Sequence, residues 1–266
     1  MAMARRPDGP PPPPTVQRLR IHYAKRGRLR FSSHRDFQRA FERALRRAAV
    51  PMAYSAGFSP HPKVSYAGAA PTGVASEAEY LEIGLAQHCD PHRLRIALDR
   101  SLPQDLDVLD IVEVPSAPEN TKSAGLANLL EASVWEIRLA DVDPVTATAA
   151  VEAFLAASRV EVSRMTKSGL RTFDARAAVV ALAVVDQPIR PRAGRASEGE
   201  CAILRLVVRH VTPAVRPDDV LAGLALIGNL APPSAPAVVR LAQGPLDELA
   251  GTVSDPLAPY RDDGGG

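Results

Sequence analysis

Residues 16–49, VQRLRIHYAKRGRLRFSSHRDFQRAFERALRRAA, decide the reading of the fold. Leu19, Ile21 and Tyr23 alternate with polar neighbours, the period of a strand that buries one face. KRGR then turns the chain, and RLRF reads as a short extension of that strand. Ser33 stands three residues before Asp36, the S-x-x-D spacing of a capping box that satisfies free amides at a helix N-terminus. From there to about Ala49, Phe37, Ala40, Phe41, Ala44, Leu45 and Ala48 recur at three- and four-residue spacing, so one helix face is apolar and buried. The opposite side carries Arg35, Arg39, Arg43 and Arg47.

The pattern continues in the same style on the C-terminal side. A short strand near Met52–Ser55, the loop AGFSPHPK, strands at Val64–Ala67 and Glu79–Ala86, a helix near Pro91–Ser101 and a strand at Asp107–Val114 follow in turn. Strand, helix, strands, helix, strand is what an antiparallel sheet with two helices on one face requires. After PSAPENTKSAG a similar series begins: strand Val134–Leu139, helix Val145–Ala157, strands near Arg159–Met165 and Arg171–Phe173, and an alternating segment over Ala177–Val185. A polar loop over 186–200, a strand Cys201–Val208, a helix Pro217–Ile227 and a strand Ala237–Leu241 complete it. The expectation is an α+β chain of two ferredoxin-like units in tandem, an N-terminal basic one over 16–115 and a C-terminal one over 130–245. The Pro-rich head, 1–15, and the tail SDPLAPYRDDGGG, 254–266, read as disordered.

Charge is distributed unevenly. The formal net charge of +2 conceals a stretch, 16–67, with twelve basic side chains against only Asp36 and Glu42. Such asymmetry favours encounter with nucleic acid or another acidic partner, with a strong dependence on salt. A charged helix face is more often simply solvated, but solvated faces mix both signs, and beyond the cap this one sets Glu42 alone among arginines.

Other classes of function find little support. Cys89 and Cys201 are too few and too far apart for a disulfide framework, a structural zinc or a cysteine-ligated cluster. His34 and His61, or His88, Cys89 and His92, lack a standard ligand spacing, so no metal site or cofactor is expected. No apolar run is long enough to span a membrane and the opening residues lack a secretory h-region, so the expected location is cytoplasmic and no membrane partner is expected. There is no phosphate-binding glycine loop and no nucleophile elbow.

The candidate binding residues are Lys25, Arg35, Arg39, Arg43, Arg46, Arg47, Phe58, His61 and Lys63, expected to contact phosphates and, at Phe58, to stack on a base. In GFSPHPK, Pro60 and Pro62 stiffen a loop that either presents Phe58 and His61 to a ligand or packs Phe58 on the core. An alternative makes the chain an enzyme, with His34, His61 and Glu77 or Glu79 in acid–base roles, and requires them to converge.

The stretch RGRLRFSSHRDFQRAFERALRRAAVPMAYSAGFSPHPKVSYAGAAPTGVASEAEYLEI resembles the radical-SAM-linked protein family, a domain of unknown function found alone or fused behind radical SAM enzymes. The resemblance is strong from about Gln17 to Leu85 and weaker on to about Leu241. Lys25, Gly27, Phe31, His34, Arg39, Arg43, Gly57, Phe58, His61, Lys63, Glu77 and Glu79 are among the positions that match, whereas Arg35 stands where a leucine is usual. The chain has no CxxxCxxC, so any radical chemistry needs a separate partner. Because stand-alone members tend to sit beside ribonuclease E/G and ribosomal-protein genes, the resemblance implies RNA metabolism. The expected partners are ribosomal or transfer RNA, or alternatively a radical SAM enzyme or ribonuclease for which the chain is an adaptor.

Overall fold

The computed structural model describes residues 12–56, 58–115, 125–166, 169–186 and 201–261. Over these the class is mixed α/β, with mostly antiparallel strands, five helices and no closed barrel. Contacts divide the chain into two units, each assembled from separate stretches of sequence.

The first unit takes the residues up to Gly73, Glu79–Asn128 and the segment from Leu257. Its elements are β1 (Gln17–Lys25), α1 (His34–Arg47), β2 (Val64–Ala67), β3 (Ala75–Leu85), α2 (Pro91–Ser101) and β4 (Leu106–Val114), followed by a one-turn α3 (Leu126–Leu129). Strand β1 lies between β4 and β3, with β2 on β3. Strands β1 and β4 are antiparallel with Ile21 opposite Ile111, and β2 and β3 are antiparallel with Tyr66 opposite Leu81.

Alternation along β1 sends Leu19, Ile21 and Tyr23 into a core with Phe37, Phe41 and Leu45 of α1 and Leu94 and Leu98 of α2. Tyr23 stacks on Phe37 at 4.5 Å. Phe41 is fully buried. Its truncation to alanine would cost about 3–5 kcal/mol and is the single change best placed to detach α1. The helix starts where the S-x-x-D spacing puts it. The Ser33 hydroxyl accepts from the Asp36 amide at 3.2 Å and donates to the Asp36 carboxylate at 2.7 Å.

Three local expectations are corrected. RLRF does not extend β1, because Gly27 takes φ +48 and opens a 3-10 turn over Gly27–Phe31. A methyl group on Gly27 would lie 2.0 Å from the Asp105 carboxylate, so the turn depends on glycine twice over. Met52–Ser55 is not a continuous strand but supplies two isolated bridges, Met52 to Leu85 and Tyr54 to Pro62. The tail is structured as far as it is described: Ala258–Tyr260 forms a 3-10 turn and Leu257 is fully buried. Proline is tolerated in such a first turn, which is why a Pro-rich segment orders there. Residues 262–266, the head through 11, most of PSAPENTKSAG and most of the 186–200 loop lie outside the described residues.

The second unit takes Val74–Ala78 and Leu129–Pro256. It contains β5 (Ala132–Ala140), α4 (Pro144–Ala156), a hairpin of β6 (Glu161–Thr166) and β7 (Gly169–Asp174), then β8 (Val179–Val184), β9 (Cys201–Arg209), α5 (Pro217–Gly228) and β10 (Ala237–Gly244). Short strands β11 (Leu246–Asp247) and β12 (Thr252–Val253) pair with each other antiparallel. The sheet runs β10-β5-β9-β8, antiparallel throughout, and β10 pairs in parallel with the start of β3 at Val239–Ala75 and Arg240–Ser76. Trp135, Ile137, Leu139, Phe154, Leu204 and Leu224 form its core. Helices α4 and α5 approach closely enough that a Cβ at Gly228 would sit 2.5 Å from Ala150.

Several polar groups of this unit are matched, although Nε of Arg205 and Nε of Arg209 are buried without a hydrogen-bond partner among the described residues. Glu136 receives Arg138 at 2.9 Å and Arg205 at 3.2 Å. Nδ1 of His210 donates to the Leu130 carbonyl at 2.6 Å, and its Nε2 meets the Ser133 hydroxyl at 2.5 Å. Among the described residues no helix is long and apolar enough to cross a membrane.

Candidate functional site

The twelve basic side chains between residues 16 and 67 separate into two groups. Four are engaged within the first unit. Arg20 is buried against Glu82 at 3.1 Å, Arg18 meets the same carboxylate at 3.8 Å, and Arg26 pairs with Asp107. Lys25 is buried too, its Nζ donating to the carbonyls of Ala70 and Pro71 at 3.3 and 3.4 Å. The other eight, Arg28, Arg30, Arg35, Arg39, Arg43, Arg46, Arg47 and Lys63, are exposed.

Helix geometry explains the exposed set. At 3.6 residues per turn, positions 35, 39, 43 and 46 stand at i, i+4, i+8 and i+11, one narrow stripe directly opposite Phe37, Phe41 and Ala44. From Arg35 to Arg46 the stripe runs about 16 Å at roughly 1.5 Å per residue. Among the described residues none of these four arginines forms an ion pair. Asp36, at the edge of the stripe, is held below the usual carboxylate range by the Ser33 hydroxyl, with Arg39 and Arg35 adding to the effect. Arg47 stands slightly aside, donating to the Ser101 carbonyl at 3.2 Å, and the Lys63 ammonium donates to the Thr15 hydroxyl at 2.9 Å.

The AGFSPHPK loop is pinned at its base and open further out. The Ser55 amide donates to the His61 carbonyl at 2.9 Å, the His61 amide to the Ser55 hydroxyl at 3.1 Å, and the Lys63 amide to the Ala53 carbonyl at 2.8 Å. Phe58 is 71% exposed and His61 is exposed. The ring therefore does not pack on the core.

Two residues of the enzymatic alternative have partners among the described residues. His34 faces Gln38 at 3.0 Å and lies edge-on to Tyr66 at 5.1 Å. Glu79 is buried and its oxygens accept from the Ala70 amide at 3.2 and 3.3 Å. Ala70 is thus shared by Lys25 and Glu79, which makes that pair a structural brace of the 70–73 turn. Glu77 belongs to the stretch of β3 assigned to the second unit.

Two features were missed from the sequence. Arg28 and Arg30 project from the 3-10 turn, and Phe31 is 59% exposed with the Arg30 guanidinium 4.6 Å from its ring centre. Read as a strand, RLRF would have buried alternate residues; the turn instead packs only Leu29 against the core. The glycine of KRGR was the available signal.

A family described as "Uncharacterized protein conserved in bacteria (DUF2344)" matches residues 18–217, from the start of β1 to the start of α5. The chain belongs to that family. The match includes α1, the AGFSPHPK loop and most of the second unit. No curated protein matches the chain. A solved structure described as an unknown protein from Galdieria sulphuraria is similar at 12% identity over 84% of this chain and 95% of that one, with a TM-score of 0.24, a value too low to bear on fold or function.

Proposed function

We propose that the chain is an RNA-binding or RNA-modification accessory protein that holds phosphates along the exposed face of α1. The observation that carries this reading is the row Arg35, Arg39, Arg43 and Arg46, four exposed guanidinium groups on one face that form no ion pair among the described residues, with the carboxylates of Asp36 and Glu42 at its edges. Solubility alone is served by evenly mixed signs, whereas four arginines beside Asp36 and Glu42 keep a surplus of positive charge that an arriving anion would neutralise. Guanidinium forks match phosphate oxygens in bidentate geometry and stay charged at every physiological pH.

Several finer readings accompany it. The order β4-β1-β3-β2 in the first unit and β10-β5-β9-β8 in the second are each read as a ferredoxin-like arrangement, the second with the β6–β7 hairpin inserted. The family is read as the radical-SAM-linked one, and the site of action as the cytoplasm.

The test is a titration of purified protein against ribosomal or transfer RNA at two salt concentrations. Four phosphate contacts to a single strand give a slope of about −3 in log affinity against log salt. Arg39→Glu combined with Arg43→Glu should abolish binding while leaving the melting temperature unchanged. Salt-independent binding, or binding that survives the double reversal, overturns the proposal. Capture of a radical SAM enzyme or ribonuclease that resists nuclease treatment and depends on the same arginines would replace it with the adaptor reading.

A further inference from the structure

Among the described residues the exposed Phe, Tyr and Trp rings lie in the part of the chain that carries the α1 arginines, whereas exposed histidines occur both there, at His34 and His61, and beyond it, at His88, His92 and His210. Among the described residues the large apolar side chains left at the surface include three aromatics, Phe31, Tyr54 at 41% and Phe58. All three fall between residues 31 and 58. The exposed apolar residues elsewhere, such as Val145, Met165, Leu170, Leu226 and Leu249, are none of them aromatic. A scatter of single exposed hydrophobics is ordinary on any protein. Eight of the chain's twelve Phe, Tyr and Trp residues lie between residues 16 and 80, so what asks for a cause is less their grouping than that three of them are left at the surface beside an arginine-rich helix.

Phe31 also sits on a firm support. Its 3-10 turn is tied at both ends, by the Arg26 amide to the Asp105 carbonyl and by the Gly73 amide to the Arg30 carbonyl, each at 2.8 Å. Leu29 is anchored in the core while Arg28, Arg30 and Phe31 face out. With the backbone beneath it fixed, the turn itself loses little freedom when a flat ligand lands on the ring. Arg30 already stacks on one face of it, so the position accepts a planar cation and an aromatic surface together.

We propose that the site takes single-stranded RNA and discriminates against duplex, with unstacked bases laid on Phe31 and Phe58 while the α1 arginines hold the phosphates. This rests on the RNA-binding reading above and adds the strand state to it. Duplex RNA keeps its bases in the stack and is recognised by backbone shape and 2′-hydroxyls, so exposed rings add nothing to its affinity. In a single strand every base has a free face, and the rings become useful whatever the sequence.

The experiment compares a fluorescein-labelled oligoadenylate with a blunt RNA duplex of the same length, by anisotropy, for the wild type, Phe31→Ala, Phe31→Trp, Phe58→Ala and the Arg39→Glu, Arg43→Glu double variant. Each alanine variant should weaken oligoadenylate binding about tenfold and leave duplex binding unchanged, whereas Phe31→Trp should bind as well as the wild type or better. Melting curves of the single variants guard against misfolding, and the exposed position of both rings predicts no change. Equal wild-type affinity for the two forms, or alanine variants that bind oligoadenylate normally, overturns the inference; if the arginine variant still abolishes binding in that case, the RNA reading survives. Failure of the wild type to bind either probe removes both.

Discussion

The guanidinium of Arg20 lies over the ring of Tyr260, 4.7 Å from its centre, so the face of β1 opposite the helices is covered by the last described turn of the chain. Arg20 alternates with Leu19 and Ile21 and would otherwise point into solvent. The C-terminal segment, with Leu257 fully buried and Arg261 bonded to Asp110 at 2.8 Å, belongs to the first unit in every physical sense. Leu257→Ala should therefore destabilise the protein by about 2–5 kcal/mol, measured by denaturant unfolding. A loss below about 0.5 kcal/mol would mean that the segment merely rests on the surface.

Gly27→Ala is expected to be more harmful than a surface glycine replacement usually is. It imposes a strained φ and brings a methyl group against the Asp105 carboxylate. The cost is about 1–3 kcal/mol from the backbone alone. Because the 3-10 turn shifts with it, oligoadenylate affinity should fall together with stability. Unfolding curves and anisotropy on the same sample check both parts.

Tyr66→Phe runs in the opposite direction. The Tyr66 hydroxyl is buried without a hydrogen-bond partner among the described residues, and burial, with Glu42 nearby, pushes its pKa up. Removing an unsatisfied hydroxyl and keeping the ring against His34 and Phe37 should leave stability unchanged or raise it by up to about 1 kcal/mol. A clear loss of stability would reveal a partner for that oxygen.

His210 sets a pH dependence. The residue is exposed as a whole, but local desolvation of its ring chiefly, and Arg240 in addition, lower its pKa despite the bond to the Leu130 carbonyl. The folded state then binds a proton less readily than the unfolded chain, whose histidine titrates near about 6.5. The contribution of this ring is complete above that value and is lost as pH falls from there through the folded pKa. The melting temperature of the wild type should drop more between about pH 7 and pH 5 than that of His210→Gln. Parallel curves for the two proteins would refute the assignment.

Much of the fold was legible because its signals are local. The Ser33–Asp36 cap and the Phe37, Phe41, Leu45 stripe belong to α1 alone, and β1, β4, β5 and β9 each show their alternation within one strand. Of the candidate row, helix periodicity places Arg35, Arg39 and Arg43 together, but the fourth member read from the sequence, Arg47, stands aside on the Ser101 carbonyl and Arg46 at i+11 takes its place. What escaped depends on distant partners. Lys25 reads as one more surface cation until Ala70 and Pro71 fold over it, and Arg20 until Tyr260 does. Phe31 escaped for a local reason, the positive φ of Gly27, which converts an apparent strand into a turn and leaves the ring outside.

One strand, β3, is divided between the units: Val74–Ala78 serves the second and Glu79–Leu85 the first. Together with the late return of Leu257 to the first unit, this interleaves the two along the gene, so no single cut yields two intact halves. Synthesis must pass Leu257 before the arginine-bearing unit has all its described pieces, and truncations upstream of Leu257 leave it incomplete. Neither unit is one continuous stretch that a single excision could move onto another protein.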